Sequence, residues 1–350
     1  MGTGSCGGPF GMALKTSGWD GLIIKGKAKS PVYLVISSKG VEFKDAKKFW
    51  GKDTQTVQKA LEKEGSGALV IGQAGENKVL YANICSGHRF LGRCGMGAVL
   101  GSKNVKAIVA KGNEFKIVPK NPRKFDKARK KTLKFINRNP ITSVSYRQFG
   151  TNANVNLNNA GGLLPVRNFT GGSHGEAHKI SGEEMAERFD TKFSTCKPCA
   201  ILCGHKGNIN GEIRQVPEYE TIGTFGSNLE IFDPVAVSEF NELCTKYGLD
   251  TISTAVTIAW AMEATEKGLI KTDLKFGSPD NVAKTITDIA YRRGFGNDLA
   301  NGTRKLSQKY GGADFAIHVK GLEMAAYDPR GAWGQALSYA VANRGACHLS

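Results

Sequence analysis

This 350-residue sequence lacks long hydrophobic runs, internal repeats and paired cysteine motifs. No window approaches the roughly 18 uninterrupted apolar residues that a membrane helix needs, and the richest window, 251–266, is short and rich in threonine. We therefore expect a soluble, cytoplasmic protein without a membrane span. Since no signal-peptide pattern is present, metal ligation or redox chemistry is a better expectation for the eight cysteines than a disulfide framework.

Acidic residues are scarce, with 31 Asp and Glu against 48 Lys and Arg, which gives a net charge of +17. Such a charge suits an acidic partner. The basic residues are nevertheless spread along the chain except at 119–135, and no aromatic-interleaved nucleic-acid motif accompanies them. We therefore do not expect a nucleic-acid partner.

The chain changes character after about residue 117. Before that point, short β-branched runs alternate with Gly, Lys and Ser turns, and one helix is predicted at 54–64. The predicted strand runs are GLIIKG, PVYLVIS, VEFKD, ALVIGQ and VKAIVAKG. The pattern beyond residue 117 is helical, so the sequence predicts an α+β fold with a β-rich first part and an α-helical second part.

Helix signals are clear in the second part. Asp233 and Pro234 provide an N-cap and an N1 proline for a helix that Gly248 ends. A nearly all-apolar helix is predicted at 253–267, and such a helix is normally buried. Two further helices are expected near 280–293 and 297–310.

Three cysteines, Cys196, Cys199 and Cys203, have the spacing C-x2-C-x3-C. A zinc ribbon would need a second C-x2-C pair, which the sequence lacks. Structural core cysteines suit the loop-like context of Lys197, Pro198 and Gly204 poorly. An iron–sulfur cluster takes three thiolates from one short loop and a fourth from elsewhere, and we favour this interpretation over the other two.

Two glycine-dense stretches, 2–11 and 87–104, lie in the β-rich part. Glycine lets the backbone approach a ligand closely, and Arg89 and Arg93 could add charge-assisted contacts to phosphate. For either stretch taken alone, tight turns in a β domain are the better interpretation. A Rossmann site is disfavoured because neither stretch follows a strand with an acidic residue about twenty positions on.

Five strings of this sequence together resemble the tungsten-containing aldehyde ferredoxin oxidoreductases. They are SGHRFLGRCGMGAVLGSKNVKAI, TCKPCAILCG, VPEYETIGTFGSN, YGLDTIS and AAYDPRGAWGQALSYAVANRGACH. The resemblance implies a β-rich tungstopterin-binding domain at 1–117, an α-helical domain with the cluster loop at 118–325, and the start of a third, truncated helical domain at 326–350. It also implies a tungsten (or molybdenum) bis-pyranopterin beside a [4Fe–4S] cluster.

The resemblance also assigns site residues. It makes Cys196, Cys199 and Cys203 three cluster ligands and Glu220 an acidic residue near the metal that accepts a proton. Pterin-phosphate contacts, where Mg²⁺ is also expected, are implied for Ser5, Gly7, Arg89, Phe90, Gly92 and Arg93. Thr245, Leu249 and Asp250 match the pterin-binding Asp-x-x-Gly-Leu-Asp motif, with Thr245 in place of its first Asp.

Other departures from the family pattern limit these expectations. The Glu-x-x-His pairs that hold a bridging metal between subunits lack their histidines here, so we do not expect that metal, and the oligomeric state stays open. The fourth cluster cysteine and a histidine near the metal are expected beyond residue 350. We therefore expect a fragment that is poorly soluble, because helix 253–267 would lose part of its cover.

The function that the resemblance implies is oxidation of an aldehyde to a carboxylic acid, with electrons passing through the cluster to ferredoxin. Low-potential reduction of a carboxylic acid or an aromatic acyl-CoA is the alternative within the family. A non-catalytic fragment is the alternative outside it.

Overall fold

The computed structural model describes residues 2–196 and 198–349 and confirms the predicted α+β fold class. Lys197, in the predicted cluster loop, lies outside the described residues. The strands are β1 (Val32–Ser37), β2 (Gly40–Asp45), β3 (Ser66–Val70), β4 (Ile84–Ser86), β5 (Arg89–Leu91), β6 (Val105–Lys111), β7 (Lys192–Phe193), β8 (His205–Ile209), β9 (Glu212–Gln215), β10 (His318–Val319) and β11 (Leu322–Glu323).

The α-helices are α1 (Phe10–Thr16), α2 (Thr54–Leu61), α3 (Gln73–Glu76), α4 (Met96–Ser102), α5 (Pro122–Arg138), α6 (Tyr146–Phe149), α7 (Asn154–Ala160), α8 (Gly182–Phe189), α9 (Tyr219–Thr221), α10 (Pro234–Tyr247), α11 (Thr251–Glu266), α12 (Val282–Tyr291), α13 (Gly296–Leu299), α14 (Thr303–Tyr310) and α15 (Trp333–Val341). Single 3₁₀ turns lie at Lys47–Phe49, Gly150–Ala153, Ala177–Ile180, Ser227–Leu229 and Ala313–Phe315, and π-helical turns at Ile141–Ser145 and Ile222–Gly226.

Six strands of the first part form one mixed sheet in the order β2-β1-β6-β3-β4-β5. Strand β1 pairs with β6 in parallel, and the other neighbours are antiparallel. The first six residues of β6 are buried, as expected for a central strand that is covered on both faces. One face packs Leu34 and Ile108 against Phe10 of α1, and the other packs Val70 and Val109 against Val57 of α2.

The predicted strand runs agree with β1, β2, β3 and β6, but the strand predicted at 21–26 is wrong. That segment is not a strand, and its residues Leu22 and Ile24 are half-buried against the core beside α1. Their apolar character therefore reflects packing rather than strand pairing. Two helices, α1 and α4, also begin inside the glycine-dense stretches, where the sequence predicted turns or loops.

The helical part is built around α11. Twelve of its 16 residues are buried, among them Trp260 and Met262, and Asp250 caps its N-terminus by accepting from Ile252 N. The expectation that this helix would be partly uncovered in the present chain is therefore wrong. Helix α10 begins at Pro234 after the Asp233 cap and ends before Gly248, as the sequence predicts.

The single helix predicted at 297–310 is also wrong, because α13 and α14 are separate. Gly302 breaks the chain between them with a φ of +79°. The carboxylate of Glu323 accepts from Thr303 N at 2.9 Å, which satisfies the first free N–H of α14. A buried side chain from a distant segment thus fixes where the second helix starts.

The two parts meet next to the β4–β5 hairpin. Asn83 N donates to Gly248 O at 2.8 Å, and Asp250 N donates to Tyr81 O at 3.1 Å. The turn between α10 and α11 is therefore held against the segment that leads into the hairpin.

No helix within 2–196 and 198–349 has the length and apolar character to cross a membrane. The domain boundaries near residues 117 and 325 stay proposals.

Candidate active site

A cavity of about 510 Å³ lies where the β4–β5 hairpin meets the α10–α11 turn. Its wall contains residues from many separate segments of the chain, which include the first glycine stretch and the residues around 344–349. Ten of the predicted site residues line it: Ser5, Gly7, Arg89, Phe90, Gly92, Arg93, Glu220, Thr245, Leu249 and Asp250. The structure therefore gathers these residues around one space, while their individual roles stay predictions.

Arg93 is buried and bonded to acceptors from three distant segments. Its Nε donates to Asp250 Oδ2 at 3.2 Å, its Nη1 to Ala346 O at 2.7 Å and its Nη2 to Glu323 O at 2.5 Å. Both members of the Arg93–Asp250 ion pair are almost fully buried. The guanidinium therefore joins the hairpin to the start of α11 and to the segment at 346, in addition to the predicted phosphate contact.

Arg89 lies on β5, between the first glycine stretch and the cysteine loop. It forms an ion pair with Glu218 and is less buried than Arg93. A methyl group added at Gly204 would come within 2.6 Å of Arg89 Nη2, and one added at Gly7 would lie 3.4 Å from its Cγ. The two glycines thus leave room for this cation to reach the cavity wall.

The cysteine loop packs against the first glycine stretch. A Cβ at Gly7 would lie 2.5 Å from Cys196 Sγ, a distance that contacts to real Cβ atoms essentially never show. His205 binds Cys203 O through Nδ1 at 3.2 Å and holds Arg147 O at 2.9 Å through Nε2. The predicted cluster loop and the predicted phosphate-binding stretch are therefore direct neighbours.

The three predicted cluster ligands, Cys196, Cys199 and Cys203, are half-buried. Within residues 2–196 and 198–349, no three His, Cys, Asp or Glu side chains come together as a metal site. Thiol donors on one loop, with the Arg89 cation close to Cys196 and Cys203, nevertheless have the chemistry that suits an anionic iron–sulfur cluster. The assignment of these ligands stays a prediction.

Glu220 lies in the short helix α9, and the π-helical turn that follows it is buried throughout. Such turns are frequent at functional sites. Its Oε2 accepts from Ala326 N at 2.8 Å. Its Oε1 is buried, lacks a hydrogen-bond partner in the described part of the chain and lies 3.6 Å from His348 Nδ1. The hydrogen bond to Oε2 therefore orients the carboxylate, and Oε1 remains able to accept a proton or a hydrogen bond from a ligand.

Sequence reasoning missed Cys347 and His348, which also line the cavity. Burial by itself would lower the pKa of His348, but the Glu220 carboxylate and the Cys347 thiol raise it above its ordinary value. Burial by itself would raise the pKa of Cys347, but a hydrogen bond with His348 and the Arg93 charge hold it below its ordinary value. His348 is therefore a histidine that faces the cavity from within the present chain.

A signal for these two residues was present in the sequence. They end the string AAYDPRGAWGQALSYAVANRGACH, which carries part of the family resemblance without an assigned role for its final Cys-His. Thr245, the departure from the Asp-x-x-Gly-Leu-Asp motif, lines the cavity, and its carbonyl oxygen accepts from Thr54 Oγ1 at 2.7 Å.

The cavity suits a large polar ligand. Its volume is in the range of small-molecule and cofactor sites. Asn83 Oδ1, Glu220 Oε1 and His348 Nδ1 are buried polar atoms without hydrogen-bond partners in residues 2–196 and 198–349. Each such atom costs about 1–3 kcal/mol unless a ligand or water satisfies it. These atoms, together with Arg89 and the glycine backbone, fit a phosphorylated pterin.

Comparison with known proteins identifies the family. A family model for the N-terminal domain of aldehyde ferredoxin oxidoreductase matches residues 1–112, and a second one, for domains 2 and 3, matches residues 127–350. The chain is 41% identical over 359 residues to a tungsten-containing aldehyde ferredoxin oxidoreductase of Pyrococcus abyssi, a match that covers 98% of this chain and 59% of that protein.

A second relative is the WOR-like subunit of an aliphatic sulfonate oxidoreductase from Pyrococcus furiosus. It is 32% identical over 379 residues, which cover 97% of this chain and 60% of the relative. A solved structure, the active-site complex BamBC of benzoyl coenzyme A reductase with 1,5-dienoyl-CoA, has a TM-score of 0.80 and 26% identity, and covers 97% of this chain and 55% of its own.

This chain thus spans about 60% of the length of the relatives that it matches. The model for domains 2 and 3 alone covers more than half of its residues, and the N-terminal model covers most of the rest. The chain belongs to the aldehyde ferredoxin oxidoreductase family, as its sequence motifs predict.

Proposed function

We propose that this chain forms the cofactor-holding part of an oxidoreductase that converts an aldehyde and water to a carboxylic acid, two protons and two electrons. The electrons would leave one at a time for ferredoxin. The observation that carries this proposal is the pair of Glu220 Oε1 and His348 Nδ1, which lie 3.6 Å apart in the cavity that Arg89 and the glycine stretch also line. Both atoms are buried and lack a hydrogen-bond partner in the described part of the chain.

When bound, a tungsten bis-pyranopterin would supply the two-electron chemistry, and a [4Fe–4S] cluster would divide the electrons into single transfers. Ser5, Gly7, Arg89, Phe90, Gly92 and Arg93 would hold pterin phosphate, together with any Mg²⁺ there. Thr245, Leu249 and Asp250 would hold the rest of the pterin, and Cys196, Cys199 and Cys203 would hold the cluster.

The protein's own contribution would be proton movement. Glu220 Oε1 would accept a proton as the aldehyde carbon gains an oxygen from water. His348 Nδ1, 3.6 Å away, would share that proton, since the carboxylate raises the pKa of the imidazole. The bond from Ala326 N to Glu220 Oε2 would hold the carboxylate in place during the transfer.

One observation favours a second reaction. The solved structure that this chain resembles with a TM-score of 0.80 is the active-site complex of a benzoyl coenzyme A reductase with 1,5-dienoyl-CoA. In that alternative the cavity would take an aromatic acyl thioester, and Glu220 with His348 would deliver protons instead of accepting them. A third possibility from the sequence is that the present chain by itself does not catalyse.

The experiment is anaerobic expression of the protein with tungstate, followed by metal analysis and assays of aldehyde-dependent reduction of ferredoxin and a viologen dye. Glu220→Gln should abolish turnover while tungsten is retained, whereas Glu239→Gln, outside the cavity, should leave turnover unchanged. Equal turnover in both variants would refute the role of Glu220. Viologen-driven reduction of benzoyl-CoA without aldehyde oxidation would favour the second reaction.

A companion variant tests the cluster loop. Cys199→Ala should remove the iron–sulfur absorption while most of the tungsten is kept, because the pterin contacts come from other segments. Cys94→Ala, outside the loop, should keep both. Four iron and four sulfide per chain in Cys199→Ala would exclude Cys199 as a ligand.

A further inference from the structure

Helix α5 is unusually exposed for its length. Its 17 residues, all described, include none that is buried. Phe125 is 55% exposed and Phe135 is 71% exposed, while Leu133 and Ile136 are half-buried toward the protein. Helices of this length in folded proteins normally gain their stability by packing an apolar face. The exposed aromatic side chains therefore indicate a surface that is available for contacts beyond those of the described residues.

The charge of α5 indicates which surface charge a partner must have. The helix carries eight basic residues against one carboxylate, Asp126, which pairs with Arg129 and Lys130 at 2.9 Å. Helical spacing places Lys127, Lys131 and Lys134 on one face, with the exposed Phe135 at its edge and Phe125 on the other side of the helix. A partner with a negative surface and an apolar centre is complementary to this arrangement.

The position of α5 links this face to the cysteine loop. Arg147 Nη2 donates both to Asn137 Oδ1 at 2.8 Å, near the end of α5, and to Ala200 O at 3.0 Å, between Cys199 and Cys203. Thr142 Oγ1 donates to Ile136 O at 2.7 Å and fixes the turn that leads from α5 toward Arg147. A molecule docked on α5 would therefore lie beside the loop that is proposed to carry the cluster.

Several kinds of partner could cover such a face, and the structure favours one. A second copy of this chain would bring the same basic helix, and its net charge of +17 opposes self-association through this surface. An anionic membrane or a nucleic acid would match the charge, but neither has a reason to lie next to a redox loop. An electron carrier must approach that loop.

From this placement we infer that the exposed face of α5, formed by Lys127, Lys131, Lys134 and Phe135, is the docking surface for an acidic one-electron carrier protein. The lysines steer the carrier's acidic surface, and Phe135 packs against the apolar rim of its redox centre. This inference rests on the proposed function, because it takes the cysteine loop as the point where electrons leave.

The test measures binding and turnover separately. A small acidic 2[4Fe–4S] ferredoxin serves as the probe in calorimetric titrations at low and physiological salt. The triple variant Lys127→Glu/Lys131→Glu/Lys134→Glu should bind it at least about tenfold more weakly, with a smaller salt dependence. A control with the same charge change on other elements, Lys271→Glu/Lys275→Glu/Lys305→Glu, should bind like the wild type. Phe135→Ser should also weaken binding without altering the salt dependence.

Several outcomes would overturn the inference. They are equal ferredoxin affinity in the α5 variant and its control, and tighter binding of the wild type to phosphatidylserine vesicles or a 20-base-pair DNA than to the ferredoxin. A wild-type dimer that Phe135→Ser converts to a monomer would also overturn it, because a second copy would then cover the face.

The proposed function is judged independently with a viologen dye, which needs no docking surface. Unchanged dye reduction with lost ferredoxin reduction in the α5 variant supports the docking surface. Dye reduction that is absent in every variant, together with α5-dependent ferredoxin binding, would count against the proposed function alone.

Discussion

The Oε1 atom of Glu220 lies 3.6 Å from the Nδ1 atom of His348, although the two residues come from segments far apart in the chain. Glu220 is held from the opposite side by Ala326 N, so the unsatisfied oxygen of its carboxylate faces the imidazole. This pair places a carboxylate and an imidazole side by side in the cavity that the predicted cofactor-binding residues line.

The first prediction concerns the pH dependence of this pair. Because the Glu220 carboxylate raises the pKa of His348, the Glu220→Gln variant should lower that pKa toward or below the ordinary value of about 6.5. In the wild type, the stability from the charged imidazole is fully present below about pH 6.5 and is lost as the pH rises through the folded-state pKa. NMR titration of the histidine ring carbons, assigned with His348→Gln, measures the change. An unchanged His348 titration in Glu220→Gln would show that the carboxylate does not act on the imidazole.

The second prediction concerns the buried ion pair between Arg93 and Asp250. Arg93→Ala leaves the buried Asp250 carboxylate without its ion-pair partner, which should lower the free energy of unfolding by about 3–5 kcal/mol. Lys59→Ala, on an exposed position of α2, should change it by less than about 0.5 kcal/mol. Urea denaturation of both variants gives the comparison. A similar small change in each would mean that the pair is not needed to join the two parts.

The third prediction concerns the contact between the glycine stretch and the cysteine loop. Gly7→Ala should displace Cys196, because the added Cβ would lie 2.5 Å from its Sγ. Iron retention after anaerobic reconstitution should therefore fall. The matched change Gly11→Ala meets nothing within 4 Å and lies in α1, where it should stabilise the helix by about 0.5–1 kcal/mol. Equal iron retention in the two variants would argue against a cluster next to Gly7.

The fourth prediction concerns phosphate binding. Arg89→Ala should weaken cofactor retention about ten- to hundredfold, because a charge-assisted hydrogen bond to phosphate is worth on the order of 1.5–3 kcal/mol. Lys111→Ala, at the exposed end of β6, should retain the cofactor normally. Tungsten per chain after gel filtration is the readout. The same tungsten content in both variants would remove Arg89 from the phosphate site.

Local sequence patterns predicted the regular elements well where one interaction dominates. Asp233, Pro234 and Gly248 mark the ends of α10, since caps and breakers act within one turn of the helix. The local patterns gave a wrong prediction at 21–26, where Leu22 and Ile24 alternate as in a strand but pack on a core without strand pairing. They also failed at Gly302, because the cap of α14 comes from Glu323, in a separate segment.

By itself, the sequence determined the fold class, the family and the residue types that the site uses, because propensities, caps and family motifs are local properties of the chain. The tertiary structure alone decided which of these residues share a space. Glycine content and the C-x2-C-x3-C spacing do not say that Gly7 touches Cys196, nor does any local pattern say that His348 faces Glu220. Such contacts depend on how the sheet and the helices pack, and packing is set by the whole chain at once.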